Sequence, residues 1–199
     1  MLNKDDILIV CALEIETQGQ LEDYDILYTG VGKVNATFKL TKRLSGEVVS
    51  GFAPKLVINY GTAGSRKIKK KTLVDCTKFV QRDMDVTGLG FMRGETPFED
   101  EPPLMLDFGI TEYNNIRRRA TCGSGDSFVE DRTQYYGEVV DMEAYALAKV
   151  CYNYKIPFVS FKYITDGADG DADIDWEENV TNGIMIFKRK VLDLIEKSS

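Results

Sequence analysis

The chain is 199 residues long, carries no histidine and has a formal net charge of −7. The missing histidine excludes Ser-His-Asp and Cys-His catalysis and every His-liganded metal centre, and the acidic balance argues against a grip on nucleic acid through its phosphates. No stretch approaches the ~20 consecutive apolar residues of a membrane span, and the start "MLNKDDILIVCALE" lacks a signal-peptide layout, so the expectation is a single cytoplasmic domain over residues 1–199.

Along the chain, strand signals alternate with helix signals. Asp6 to Leu13 ("DILIVCAL") is a continuous apolar run of strand length, suited to a strand covered on both faces. Asp25 to Gly32 reads as a shorter strand ending in glycines. Lys33 to Leu44 has apolar residues Val34, Phe38, Leu40 and Leu44 at helical spacing. Lys55 to Gly61 is another buried strand, stopped by "GTAGS", and Thr72 to Gln81 follows as a strand. Arg82 to Pro103 loses periodicity and carries three glycines and three prolines; a loop of that length inside a compact domain tends to be functional or mobile. Arg117 to Phe128 is a strand entering a Gly-rich turn, and Gly137 to Tyr154 is a short strand leading into a helix. Ile156 to Asp166 is a strand. Ala172 to Ser198 is the terminal helix, with apolar spacing through Val180, Ile184, Phe187, Val191 and Ile195. This order indicates an α/β layered domain, in which ligands sit where strands end and loops begin.

The four cysteines lie far apart beside apolar residues, which fits reduced, packed thiols. "RKIKKK" (Arg66 to Lys71) is a short basic run, read as a solvated loop. "GVGK" does not supply the spacing of a phosphate loop, and "DGADGDADID" lacks the ligand positions of a calcium loop. Acid–base chemistry therefore falls to Asp, Glu, Lys, Tyr, Cys or water. Several strand ends carry small or acidic residues where core residues are usual, and glycines there let backbone N–H groups approach a ligand. A carboxylate buried where a helix enters the core, as Asp141 or Glu143 would be, costs several kcal/mol unless something pairs with it.

Taken in order, "CALEIET", "GVGKVNA", "VINYGTAGS", "CGSGDSF", "VVDMEAYALAKVC" and "YITDGADGD" resemble the nucleoside phosphorylase and nucleosidase superfamily, and most closely the methylthioadenosine/S-adenosylhomocysteine nucleosidases. The pieces extend from about Ile7 to Asp171. The chain lacks a hairpin between Leu21 and Asp25 and is compressed between Phe91 and Ile116 relative to that family. The resemblance implies a three-layer α/β/α sandwich around a mixed, partly barrel-like sheet. It also implies hydrolysis of the bond between a purine and a ribose, through a ribosyl oxocarbenium ion leaving a purine anion.

By position in the motifs, the resemblance gives Asp166 the role of the general acid that protonates purine N7; an Asp must have its pKa raised by burial for that task. The alternative is a turn or capping Asp after the strand. Glu16 matches the carboxylate that orients water, and the nearby Glu14 is better read as a structural hydrogen-bonding residue. Glu143 matches the glutamate that binds ribose hydroxyls, so a sugar pairs with the buried acid, whereas Asp141 reads as a surface or capping residue. Met142 matches the methionine under the ribose, or else fills core. Phe128 matches the aromatic that stacks on the purine, with a core Phe as the alternative, and the backbone of Val129 faces the base edge. Thr62 matches a small hydroxyl residue near the ribose, and Thr165 a serine beside the acid. Lys162 stands where the family usually has arginine, which leaves open how the strand before Asp166 is braced.

No cofactor is implied. The partners implied are a small-molecule purine nucleoside and a second copy of the chain in a homodimer, with no nucleic acid or membrane. In the family the loop at Arg82 to Pro103 helps build the pocket for the 5' group, partly from the neighbouring subunit, and Met84, Phe91 and Met92 are the candidates here. A phosphorylase needs cationic groups to hold phosphate. The first-strand end is acidic here, and Arg119 is out of register, which favours water as the nucleophile. A catalytically inactive nucleoside-binding protein and a metal-dependent hydrolase using the C-terminal acid cluster are the other readings. The acid triplet Glu16, Glu143 and Asp166 argues against a pure binder, which has no evident need of it.

Overall fold

The computed structural model describes residues 2–99, 104–134, 136–193 and 195. Its strands are β1 (Ile7–Cys11), β2 (Asp25–Tyr28), β3 (Leu56–Gly64), β4 (Leu73–Gln81), β5 (Met105–Asp107), β6 (Arg119–Ser124), β7 (Val139–Asp141) and β8 (Phe158–Asp166). The helices are α1 (Glu14–Thr17), α2 (Lys33–Ser50), α3 (Ala144–Tyr154), α4 (Ala172–Asn179) and α5 (Ile184–Phe187), the last continued by a π-helical turn over Lys188–Leu192.

All eight strands join one sheet in the order β2-β1-β3-β7-β6-β4-β5, and β8 pairs with both β3 and β4. That double pairing closes β3, β8, β4, β6 and β7 into a ring, while β1 and β2 extend from it as a parallel wing. Pairing is mixed: β3 with β8 and β4 with β6 are parallel, whereas β4 with β8 and β3 with β7 are antiparallel. The expected α/β layering around a mixed, partly barrel-like sheet is what forms.

The layers follow from strand alternation. Side chains of a strand point to opposite faces in turn. Ile7, Ile9 and Cys11 of β1 enter the core under α5, with Phe161, Tyr163 and Phe187. Leu8 and Val10 enter the opposite core, where Leu40 and Leu44 of α2 meet Leu147 and Val150 of α3. All four cysteines are buried and unpaired. Among the described residues, no helix is long and apolar enough to cross a membrane.

Two expectations need correction, and two elements were not anticipated. Helix α2 runs on to Ser50, and its buried row is Ala36, Leu40 and Leu44, while Val34 and Phe38 are 78% and 62% exposed. Residues two apart on a helix lie on opposite sides, so the spacing mixed two rows, 34/38 and 36/40/44. The terminal helix is broken. Val180, Ile184, Phe187 and Val191 are all buried as expected, yet a turn over residues 180–183 separates α4 from α5. Gly183 sits in that turn against β8, and a Cβ there would lie 2.5 Å from Tyr163 Cγ and from the Tyr60 hydroxyl. Strand β5, antiparallel on β4, and the single turn α1 were not read from the sequence. The Arg82 to Pro103 stretch is irregular as expected, apart from a 3-10 turn at Thr87–Leu89. Its end at Pro102 and Pro103, and the Ser198 end of the terminal helix, lie outside the described residues.

Candidate active site

The ends of β1, β3, β6, β7 and β8 converge on one cavity of about 250 Å³. Glu16, Thr62, Phe128, Val129, Met142, Glu143 and Asp166 all line it. Thr165 is buried behind the wall, beside Asp166.

Glu16 sits on α1, which starts as β1 ends. Its Oε2 accepts the Leu13 N–H (3.1 Å), and its Oε1 accepts the Thr62 N–H (2.8 Å) and the Thr62 hydroxyl (3.0 Å). These bonds cross from β1 to the far end of β3 and satisfy a carboxylate that is almost wholly buried. Glu14 makes no such reach: its carbonyl accepts from Thr17, and its side chain does not line the cavity.

Asp166 ends β8. Its Oδ1 accepts the Ala168 N–H and its Oδ2 the Thr165 hydroxyl, both at 2.9 Å. Burial pushes its carboxyl above the ordinary range, against those two bonds, and the nearby charges of Asp175 and Asp169 push the same way. Its seat depends on Gly64 of β3. A Cβ at Gly64 would lie 2.2 Å from Asp166 Oδ1, so only glycine lets the acid lie flat against the sheet.

Glu143 precedes α3 and is buried, with Oε1 accepting the Gly32 N–H at 2.8 Å. Burial raises its carboxyl to about 8, helped by the charge of Asp141 and opposed by Lys162 and the Gly32 bond.

Asp141 departs from its expected place. It does cap α3, accepting the Ala144 N–H at 2.9 Å, but it is buried and not at the surface. Lys162 Nζ stands 2.7 Å from its Oδ2, and the Ser124 hydroxyl donates to its Oδ1. Burial works against both charges. The Lys162 ammonium overcomes it for Asp141, whose carboxyl lies below the ordinary range, and Asp141 overcomes it for Lys162, whose ammonium is held charged. This pair is the brace that the sequence left open.

Phe128 is 44% exposed at the rim and so is not a core Phe. It meets Trp176 of α4 edge to face, with ring centroids 6.5 Å apart. Val129 is buried with Val140 and Ala168. Trp176 and Arg82 are lining residues that the sequence did not single out. Arg82 opens the long loop and donates through Nη2 to the carbonyls of Gly125 and Ser127, holding the turn that presents Phe128. Met84, Phe91 and Met92, the candidates for a 5' pocket, do not line the cavity of the single chain. Among the described residues, no group of three or more His, Cys, Asp or Glu side chains is placed to hold a metal ion.

Of the six acidic residues that line the cavity, Glu16, Glu143 and Asp166 differ in character. One is tied by three hydrogen bonds, and the other two are raised by burial. Such separation is how one site runs acid and base steps together.

Comparison with known proteins agrees with this architecture. A family model described as the phosphorylase superfamily matches residues 17–196. A 5'-methylthioadenosine/S-adenosylhomocysteine nucleosidase of Haemophilus influenzae (strain PittEE) is 32% identical, over 99% of this chain and 91% of that protein. Among solved structures, a Helicobacter pylori 5'-methylthioadenosine/S-adenosylhomocysteine nucleosidase has a TM-score of 0.80 at 20% identity, covering 96% of this chain and 97% of the other. A futalosine hydrolase mutant of Helicobacter pylori has a TM-score of 0.79 at 19% identity, covering 94% and 98%. Both structures share the fold. The chain belongs to the phosphorylase superfamily and, within it, to the methylthioadenosine/S-adenosylhomocysteine nucleosidase family.

Proposed function

We propose that this protein hydrolyses the N-glycosidic bond of 5'-methylthioadenosine, S-adenosylhomocysteine and related purine nucleosides. The observation that carries the reading is the meeting of Glu16, Glu143 and Asp166 on one cavity, with Phe128 at its rim. Asp166, whose carboxyl burial pushes above the ordinary range, gives a proton to purine N7 as the bond to C1' breaks. Glu16 takes a proton from the water that attacks C1'. Glu143 holds the ribose hydroxyls, Met142 and Thr62 pack against the sugar, Phe128 stacks on the base, and the Val129 backbone faces the base edge. Thr165 holds Asp166 in place. The products are the free purine and the 5'-substituted ribose, so atoms balance with one water consumed.

Water is favoured over phosphate as the nucleophile. Phosphate needs free cationic donors. Lys162 behind the cavity is paired with Asp141, Arg82 is turned to the Gly125 and Ser127 carbonyls through Nη2, and the carboxylate of Glu16 on the cavity wall disfavours a second anion. A homodimer accords with the exposed apolar side chains of Leu89, Met92 and Phe98 on the long loop, and sedimentation reads it directly.

The test is purine release from 5'-methylthioadenosine, S-adenosylhomocysteine, adenosine and inosine, with and without phosphate, beside Asp166→Asn. Phosphate-independent adenine release that vanishes in the variant supports the reading. A rate that requires phosphate and yields ribose 1-phosphate makes the protein a phosphorylase. No release from any of the four leaves a nucleoside with a different 5' group or a binding role as the reading.

A further inference from the structure

Three bonds connect the indole of Trp176 to the carboxylate of Glu16. Trp176 Nε1 lies 2.9 Å from Thr62 Oγ1, which lies 3.0 Å from Glu16 Oε1, and the Thr62 N–H reaches the same oxygen at 2.8 Å. The direction of this chain is fixed by chemistry. An indole N–H can only donate, so Thr62 Oγ1 accepts from it. The one hydroxyl proton of Thr62 is then committed to Glu16. Oε1 of Glu16 thereby receives two donors, while Oε2 receives one, from Leu13. Oε2 is therefore the oxygen with lone-pair capacity to spare.

Trp176 also reaches the other parts of the site. Its ring packs edge to face on Phe128. Its helix, α4, is fastened to the strand of Asp166 by the Asn179 side chain, which donates to the Thr165 carbonyl at 3.2 Å, and to the turn before β4 by the Lys70 to Asp175 ion pair. Helix α4 therefore joins the stacking wall, the acid strand and the water-side carboxylate. Hydrogen bonds in series polarise one another, so the first donor strengthens the last.

We propose that Trp176 is a positioning residue: through Thr62 it orients Glu16 and leaves Oε2 as the oxygen that takes the proton of the attacking water. This rests on the hydrolytic reading of the site, and its test includes a readout that needs no reaction.

The chain has one tryptophan, so the indole N–H gives a single signal in a ¹H–¹⁵N spectrum. Thr62→Val removes the acceptor and should move that signal. An unmoved signal overturns the proposal, whether or not the protein cleaves any nucleoside. In turnover, Trp176→Phe keeps an aromatic ring beside Phe128 and deletes the N–H donor along with one ring of the indole. Its kcat should fall about three- to tenfold, the scale of one hydrogen bond, with KM within about twofold. In a Thr62→Val background the same substitution should have no further effect. A raised KM with unchanged kcat would make Trp176 only a wall of the purine pocket, and effects that multiply would show that it acts independently of Thr62. Either result overturns the proposal. If the wild-type protein releases no purine, the hydrolytic reading fails, and the indole signal still decides whether the chain of bonds exists.

Discussion

Lys162 Nζ lies 2.7 Å from Asp141 Oδ2, with both side chains at most 2% exposed. The two charges form a pair buried in the protein, and Lys162 also acts on Glu143 through space. Removing one member of such a pair leaves an uncompensated charge, which costs about 3–5 kcal/mol. Lys162→Met should lower the urea-unfolding free energy by about that amount, and Lys162→Arg, which keeps the charge, by less. A loss below about 1 kcal/mol in Lys162→Met would show that Asp141 finds another partner or water.

Phe128 projects from a turn and is half exposed, so its removal should barely change stability. In the proposed reading its face stacks on the base. Phe128→Ala should raise KM for purine nucleosides about 5- to 100-fold, the scale of one base stacked on an aromatic ring. Steady-state kinetics beside an unfolding curve separates the two effects. A loss of stability with unchanged KM would return Phe128 to a packing role against Trp176.

Much of this was legible in the sequence, and the failures have physical causes. The strand β1 read correctly because burial on both faces leaves a continuous apolar run. The three site carboxylates were legible because each stands in a short motif at a strand end. Asp141 was misplaced because it and Glu143 share one motif, and the partner that buries Asp141 lies on β8. In "FVSFKYITD" the polar residues Ser160 and Lys162 alternate with apolar ones, a pattern that ordinarily marks a solvated face. Here that face turns inward, and Asn59 and Asp141 satisfy it. Trp176 gave no signal because its acceptor, Thr62, is 114 residues away. Only the closure of the sheet brings them together.

Gly64 tests how tightly the acid is seated. A methyl group there would meet Asp166 Oδ1 at 2.2 Å and the Ala168 side chain at 3.2 Å, and the Gly64 backbone is held between Asp166 of β8, across a bulge, and Val140 of β7. The acid must therefore move. Gly64→Ala should lower kcat about 100-fold or more, the cost of about 1 Å of misplacement, while the circular dichroism spectrum stays that of the parent. Retention of full kcat would show that Asp166 is not the proton donor or that its position is not critical.

Glu143 links pH to stability and, if it holds the ribose as proposed, to binding. Its carboxyl is raised to about 8 in the folded protein from an ordinary 4.5. Between those values the folded chain holds a proton that the unfolded chain has released. The stability carried by the neutral acid is complete below pH 4.5 and is lost as pH rises through 8, with a slope of up to about 1.4 kcal/mol per pH unit from this group alone. A ribose diol donates to the ionised carboxylate better than to the neutral acid, so binding should draw the carboxyl toward its charged form. At about pH 6.5, a non-hydrolysable 5'-methylthioadenosine analogue should release up to about one proton and should bind more tightly as pH rises toward 8. Calorimetry in two buffers of different ionisation enthalpy reads that proton. Glu143→Gln should abolish the difference between the buffers and weaken binding, because the amide cannot take the charge. Equal heats in the two buffers for the wild-type protein would mean that Glu143 meets the sugar in the protonation state it already has.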